Sequence, residues 1–220
     1  MGDPLTPAPM APAPAPDRPA AAGASQSVHI LHLSLAEHGK LCLLRHDFGE
    51  ALRHFREAIR LCVSARAPDV FFRHYTQCVL EALEKAGDYG QVADYCRKAD
   101  AHYGAAGVET ALHRKDHGAI LERLGIMELR QGQPRAAAAT LARAVARAGG
   151  GVLPLAEQLA GWLRRGLAAP ADRLMQLQVR HGYYSVRDDT VNAAIARELP
   201  RETGAGSMRA PGQATAGAPA

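Results

Sequence analysis

One arrangement of small residues recurs three times along the chain and limits what it can fold into. In the first copy Gly39 is followed by Asp47-Phe48 and then by Ala51, Phe55 and Ala58. The second reads Leu80, Gly87-Asp88-Tyr89, then Val92, Cys96 and Ala99, and the third Leu124-Gly125, Gly132, then Ala137, Leu141 and Ala144. In each copy a small or apolar residue (Gly39, Leu80, Gly125) stands twelve positions before the first of three markers, and the markers follow at intervals of four and three. That interval puts the markers on one stripe of an α-helix. Each copy therefore predicts a helical hairpin, with small side chains where the two helices must touch.

Composition narrows the alternatives. The chain has 220 residues, 47% hydrophobic but only 5% aromatic, so it can bury one core of ordinary size built from Leu, Ala and Val. An Ala-rich amphipathic helix such as 135–148 can imitate one copy by chance, which leaves a generic helical bundle as the alternative. Pro4, Pro7, Pro9, Pro12, Pro14, Pro16 and Pro19 fall in a Pro/Ala stretch without apolar period. Residues 1–26 are therefore expected to be an extended, disordered tail, a spacer rather than a docking ligand because Arg18 completes no PxxPxR pattern. Residues 201–220 have the same character. Pro68, Pro134, Pro154 and Pro170 sit where first helical turns are expected, and Pro200 where a helix should stop.

The repeated pattern resembles the tetratricopeptide repeat, in which a small residue on helix A meets Ala, aromatic, Ala on helix B. The copies are 41 and 45 residues apart, from Ala51 to Val92 to Ala137, against roughly 34 in that family. The resemblance implies an all-α, right-handed solenoid: three hairpins over 27–149 and a C-terminal helical cap over 150–200. It also implies a protein- or peptide-binding adaptor or scaffold rather than an enzyme, working without cofactor or metal. Its partners would be another protein, a peptide segment or a second copy of the chain.

Helix A of each repeat would line a concave groove, which lays the family's positions on Leu33, Ala36, Lys40, Leu43 and Leu44. The second repeat would supply His74, Gln77, Glu81, Glu84 and Lys85, and the third Ala119, Glu122, Ile126, Leu129 and Arg130. An apolar strip flanked by both signs of charge suits an extended or helical peptide. Leu43, Leu44 and Leu129 read equally well as core. Family members that clamp a C-terminal carboxylate use Lys, Asn and Arg at set places. Here those places carry Ala36, Lys40, Cys78, Ala119 and Arg123, so only two of five donate strongly and that specificity is not expected. Repeats this long also resemble those of bacterial peptide-sensing regulators and of cytoskeletal adaptors.

Other chemistries find little support. Cys42, Cys62, Cys78 and Cys96 lie on apolar helical faces without a CxxC pair, as small hydrophobes of a reducing, cytoplasmic compartment would. His113 and His117 share a helical face beside Asp116, but Arg114 replaces the Glu of a zincin pattern. A solvated face (Glu109, His113, Arg114, Lys115, Asp116, His117) is the expectation, and a metal-dependent enzyme the remote alternative. There is no GxSxG elbow, phosphate loop or dinucleotide fingerprint. Gly149-Gly150-Gly151 reads as a hinge. No apolar run is long enough to be a signal peptide or a membrane span. The opening Met1-Gly2-Asp3-Pro4-Leu5-Thr6 meets the loose myristoylation pattern, although Asp3 and Pro4 argue against it.

After the glycines, 153–165 carries the only tryptophan in the pattern Leu155, Leu159, Trp162, Leu163, as a cap would. A helix over 171–179 then leads through His181-Gly182-Tyr183-Tyr184 to a second expected helix. Ser185 is its N-cap and Val191, Ala194, Ile195 and Leu199 its buried stripe. This layout raises one alternative, a helix-turn-helix that presents Arg187, Asn192 and Arg197 to DNA. Net charge is +4, but Asp188, Asp189 and Glu198 lie on the same helix, so charge argues only weakly for this reading and a nucleic-acid partner is not the expectation.

Overall fold

The computed structural model describes residues 19–106 and 110–200. They form α1 (Pro19–Leu44), α2 (Phe48–Ser64), α3 (Asp69–Lys85), α4 (Tyr89–Ala106), α5 (Ala111–Arg130), α6 (Pro134–Ala148), α7 (Pro154–Arg164) and α8 (Ala171–Arg180). An extended segment with two 3-10 turns, Asp188–Thr190 and Ala193–Ile195, follows. Among the described residues there is no strand. Each helix from α1 to α6 packs against its successor, so the chain is an all-α stack of sequential neighbours. One apolar core runs from Leu35 in α1 to Leu177 in α8 and Val186 beyond it.

The recurring small residues sit at the helix crossings. A Cβ on Gly39 would lie 2.7 Å from Phe55 Cε1, and one on Gly125 2.6 Å from Leu141 Cγ. Phe55 and Leu141 are fully buried, so neither neighbour has space to yield. The second hairpin has Leu80 at this place, and α3 and α4 meet along a much shorter line. A buried leucine holds apart two axes that a glycine lets close.

The turns repeat as closely as the crossings. His46, Gly87 and Gly132 adopt left-handed backbone (φ 63°, 87° and 72°). The next N–H, of Asp47, Asp88 and Gln133, returns to the carbonyl of Cys42, Leu83 and Glu128 at 2.9, 2.9 and 2.8 Å. This is a Schellman closure, which satisfies the last carbonyls of each A helix. Asp47 and Asp88 then cap α2 and α4 by accepting from Glu50 N (3.2 Å) and Gln91 N (3.1 Å). Pro134 and Pro154 open α6 and α7, and Pro68 and Pro170 immediately precede α3 and α8.

The backbone of 19–26 is helical and belongs to α1; residues 1–18 and 201–220, with the myristoylation pattern, lie outside the described residues. The glycine triplet is a fixed turn rather than a hinge. Gly149 and Gly151 take φ of 95° and 79°, Gly151 N–H donates to Glu157 Oε1 at 2.5 Å, and Leu153 is buried where α7 packs on α6. All four cysteines are buried free thiols. Among the described residues no helix is long and apolar enough to cross a membrane.

Candidate functional site

Several of the residues expected to line a groove meet the chain's own C-terminal segment. Gln178 of α8 is fully buried, accepts from Arg130 Nη2 (3.1 Å) and donates to Glu84 Oε1 (2.7 Å). Beyond α8, with Gly182 left-handed (φ 61°), Tyr183 and Tyr184 also turn their hydroxyls onto Glu84, at 2.9 and 3.3 Å. Arg123 Nη1 donates to the same carboxylate at 3.0 Å, and its guanidinium lies 4.8 Å from the Tyr183 ring centre. Glu84 is only 3% exposed. A carboxylate there is tolerable because four donors, one of them a guanidinium, replace its water. Burial pushes both phenols far above their ordinary range, with Arg123 pulling back, so both act as neutral donors.

A second buried carboxylate takes main chain. Glu81 Oε2 accepts two successive amides, Ser185 N at 2.8 Å and Val186 N at 3.1 Å, while Oε1 lies 3.2 Å from Lys85 Nζ. That lysine also stands 4.7 Å over the Tyr184 ring. Further along, Lys40 Nζ donates to Glu37 Oε1 (2.7 Å) and to the Thr190 carbonyl (3.3 Å), and Glu37 Oε2 accepts Asn192 N–H at 2.7 Å. The Ser34 carbonyl accepts Arg197 N–H at 3.0 Å, and His54 Nε2 accepts Leu199 N–H at 2.9 Å. Arg53 donates to the carbonyls of Leu199 and Pro200 at 3.2 and 3.1 Å. Cations thus meet carbonyls and acceptors meet amides along an extended strap.

This overturns the expected helix over 185–199. The amides of Asn192, Arg197 and Leu199, which a helix would turn onto its own carbonyls, are held by α1 and α2 instead, while those of Ser185 and Val186, which a helix capped by Ser185 would leave free in its first turn, go to Glu81 of α3. Ser185 caps nothing. Thr190 closes a local turn, with its Oγ1 accepting Arg187 N–H at 2.9 Å and its own N–H reaching the Arg187 carbonyl. Val186, Thr190 and Val191 are β-branched and Asp188, Asp189 and Asn192 are poor helix formers, so little helical stability is lost. Of the expected stripe, Val191 and Leu199 are half-buried while Ala194 and Ile195 are exposed. Without that helix the DNA reading has no recognition element, and Arg187 pairs with Asp189 at 3.1 Å.

Of the expected groove residues, Lys40, Glu81, Glu84 and Arg130 converge on the C-terminal segment. Leu43 and Ile126 are core, 1% and 0% exposed. Leu33, Leu44, His74 and Gln77 are half-buried. Glu122 serves another end, accepting Ala156 N–H at 2.8 Å in the first turn of α7; burial raises its carboxyl, partly offset by that bond and by Arg123. Ser34, Glu37, Arg53 and His54 escaped the sequence reading. The resemblance assigns helix B to packing, so Arg53 and His54 carried no signal there. Both cations at the clamp places, Lys40 and Arg123, are matched by glutamates of the chain itself.

The expected solvated histidine face holds at Arg114 and Lys115, which are exposed, but not at His117. His117 is buried, stacks on Tyr103 with centroids 5.0 Å apart, and bonds Asp100 Oδ1 at 2.7 Å, while Arg143 also reaches Asp100 at 2.7 Å. Desolvation alone would raise the Asp100 carboxyl, but the bonds from His117 and Arg143 outweigh it and hold it low. Asp116 pairs with Arg73 of α3 at 2.9 Å. Glu109 of that face lies outside the described residues. Among the described residues no three His, Cys, Asp or Glu side chains gather as metal ligands would.

Set against known proteins, the chain matches no family model, no curated protein and no solved structure.

Proposed function

We propose that the chain is a protein-binding adaptor with no catalytic role: a right-handed, tetratricopeptide-like solenoid of three long hairpins, capped by α7 and α8, whose α1/α3/α5 side holds an extended protein segment. One observation carries this reading. That side already holds an extended segment, its own, through main-chain bonds from Glu81, Glu37, Lys40 and the Ser34 carbonyl. Carboxylates that accept backbone amides recognise chain direction and extension more than side-chain identity, as binding of an extended peptide requires. The repeated crossing and turn geometry supports the tetratricopeptide-like architecture, and the paired Glu81 and Glu84 supply its fixed anchor points.

The test is competition. Full-length protein immobilised in its native lysate is expected to retain a protein that a synthetic peptide of residues 183–200 displaces, and Glu37→Lys is expected to weaken that retention with helicity unchanged. Retention indifferent to both the peptide and the substitution would exclude this side of the molecule as the binding surface.

A further inference from the structure

The strap is held in two unequal halves. Its first half is built into the core: Gln178 and Val186 are buried, and their neighbours bond the buried carboxylates Glu81 and Glu84. Its second half, 191–200, is held chiefly through the backbone. The amides of Asn192, Arg197 and Leu199 reach Glu37, Ser34 and His54, and Arg53 reaches the carbonyls of Leu199 and Pro200. The side chains of 192–195, 197 and 198 are exposed, so none of them fills a pocket. Only Val191 and Leu199, eight residues apart, pack against the core.

From this asymmetry we infer that 191–200 is a releasable internal occupant of the α1–α2 surface, and that its place is taken by an extended partner segment with two apolar anchors eight residues apart. This rests on the adaptor reading above and specifies its ligand and regulation. The partner's amides one, six and eight positions after its first anchor meet Glu37, the Ser34 carbonyl and His54. Arg53 meets the carbonyls at and just after its second anchor. The intervening side chains other than the half-buried Ala196 are exposed, so the surface reads anchor spacing and main chain while tolerating varied sequence between. A tethered occupant competes at an effective concentration in the millimolar range, so an external segment succeeds only by binding more tightly or when the strap is released.

The experiment uses the full chain and a fluorescein-labelled peptide of residues 188–200. Arg197→Pro with Leu199→Pro removes two of the strap's amide donors and leaves α1 and α2 untouched. By fluorescence anisotropy the unlocked chain is expected to bind the peptide at least about tenfold more tightly than the unaltered chain. Leu199→Ser in the peptide is expected to lower that affinity about tenfold, and Ala193→Ser with Ala194→Ser to leave it unchanged. Equal binding by locked and unlocked chains with matching helicity would overturn the inference, and so would a Leu199→Ser peptide that binds as well as the parent. Dimerisation of the unlocked chain that excess peptide does not reverse would also overturn it, assigning the surface to a second copy.

Should the proline variant not fold, hydrogen exchange on the unaltered chain decides. The amides of Asn192, Arg197 and Leu199 are expected to exchange about a hundredfold faster than those of Ser185 and Val186. Equal protection would make the strap a permanent part of the core. These measurements involve only this chain's own residues, so they can fail while an external partner still binds, and an absent partner leaves them intact.

Discussion

His54 and Leu199 define each other's state: Nε2 of the histidine accepts the leucine amide at 2.9 Å while Nδ1 faces the Glu50 carbonyl at 2.8 Å. Only the neutral ring with its proton on Nδ1 makes both bonds. A second proton would sit on Nε2, opposite the Leu199 N–H.

Acid should therefore loosen the end of the strap. Burial drives the His54 pKa below its ordinary value; the Glu50 carbonyl pulls it back, the stacked His38 and Arg53 lower it further, and the Glu50 carboxylate raises it. Because the folded pKa is depressed, the unfolded chain takes up the proton first. Stability is then fully present above about pH 6.5 and falls as pH drops from there through the folded value. His32 and His74, both lowered chiefly by burial, act in the same direction. Urea unfolding from pH 7.5 to 5 should show this decline, and the Leu199 amide resonance should lose protection over the same range. A Leu199 amide equally protected at pH 5 would contradict the His54 assignment.

Glu84 and Arg123 form a buried pair, so removing one partner strands the other. Glu84→Gln is expected to cost about 3 kcal/mol in urea unfolding. Adding Arg123→Met should recover part of that loss, because the uncompensated charge disappears with its partner. A double-mutant cycle with no coupling would contradict the pairing.

The crossing glycines can be separated from the incidental ones. Gly39→Ala and Gly125→Ala each push a methyl into a fully buried neighbour and should destabilise by about 1–3 kcal/mol. Gly161, inside α7, has no neighbouring atom within 4 Å of where a methyl would stand, so Gly161→Ala should stabilise by about 0.5–1 kcal/mol. Thermal melts of the three variants give the signs directly.

His46 occupies a turn position that the other hairpins give to glycine. Its φ of 63° strains an L-residue, and its ring touches Phe48 edge-on with centroids 5.8 Å apart. His46→Gly relieves about 1–2 kcal/mol of strain and returns part of it as unfolded-state entropy. A net gain of about 0.5 kcal/mol in chemical denaturation is expected, and a loss would mean that the ring contact outweighs the strain.

The hairpins were legible because their signals are local and periodic. Gly39, Gly125 and the marker triplets announce a crossing through spacing alone, and the nine markers are all buried. The looser second crossing was not read from the sequence, where Leu80 stood as the equivalent of Gly39 and Gly125. The site was legible only in part. Lys40, Glu81, Glu84 and Arg130 stood out as polar groups on A helices, yet the sequence held no sign of which chain they would hold. Glu37, Arg53 and His54 are ordinary residues of amphipathic helices until a distant amide reaches them.

By itself, then, the sequence determined the helices, their turns and their crossings, since each depends on neighbours within a dozen positions or so. Only the tertiary structure decided the fate of 185–200. Locally that stretch offers a helix: a Ser185 cap and an apolar stripe. The stacked helices offer the amides of Asn192, Arg197 and Leu199 acceptors instead: the Glu37 carboxylate, the Ser34 carbonyl and the His54 ring, all at least 145 positions upstream. A marginal terminal helix gives up little by unwinding. The strap is extended because α1 and α2 accept the amides that such a helix would return to its own carbonyls.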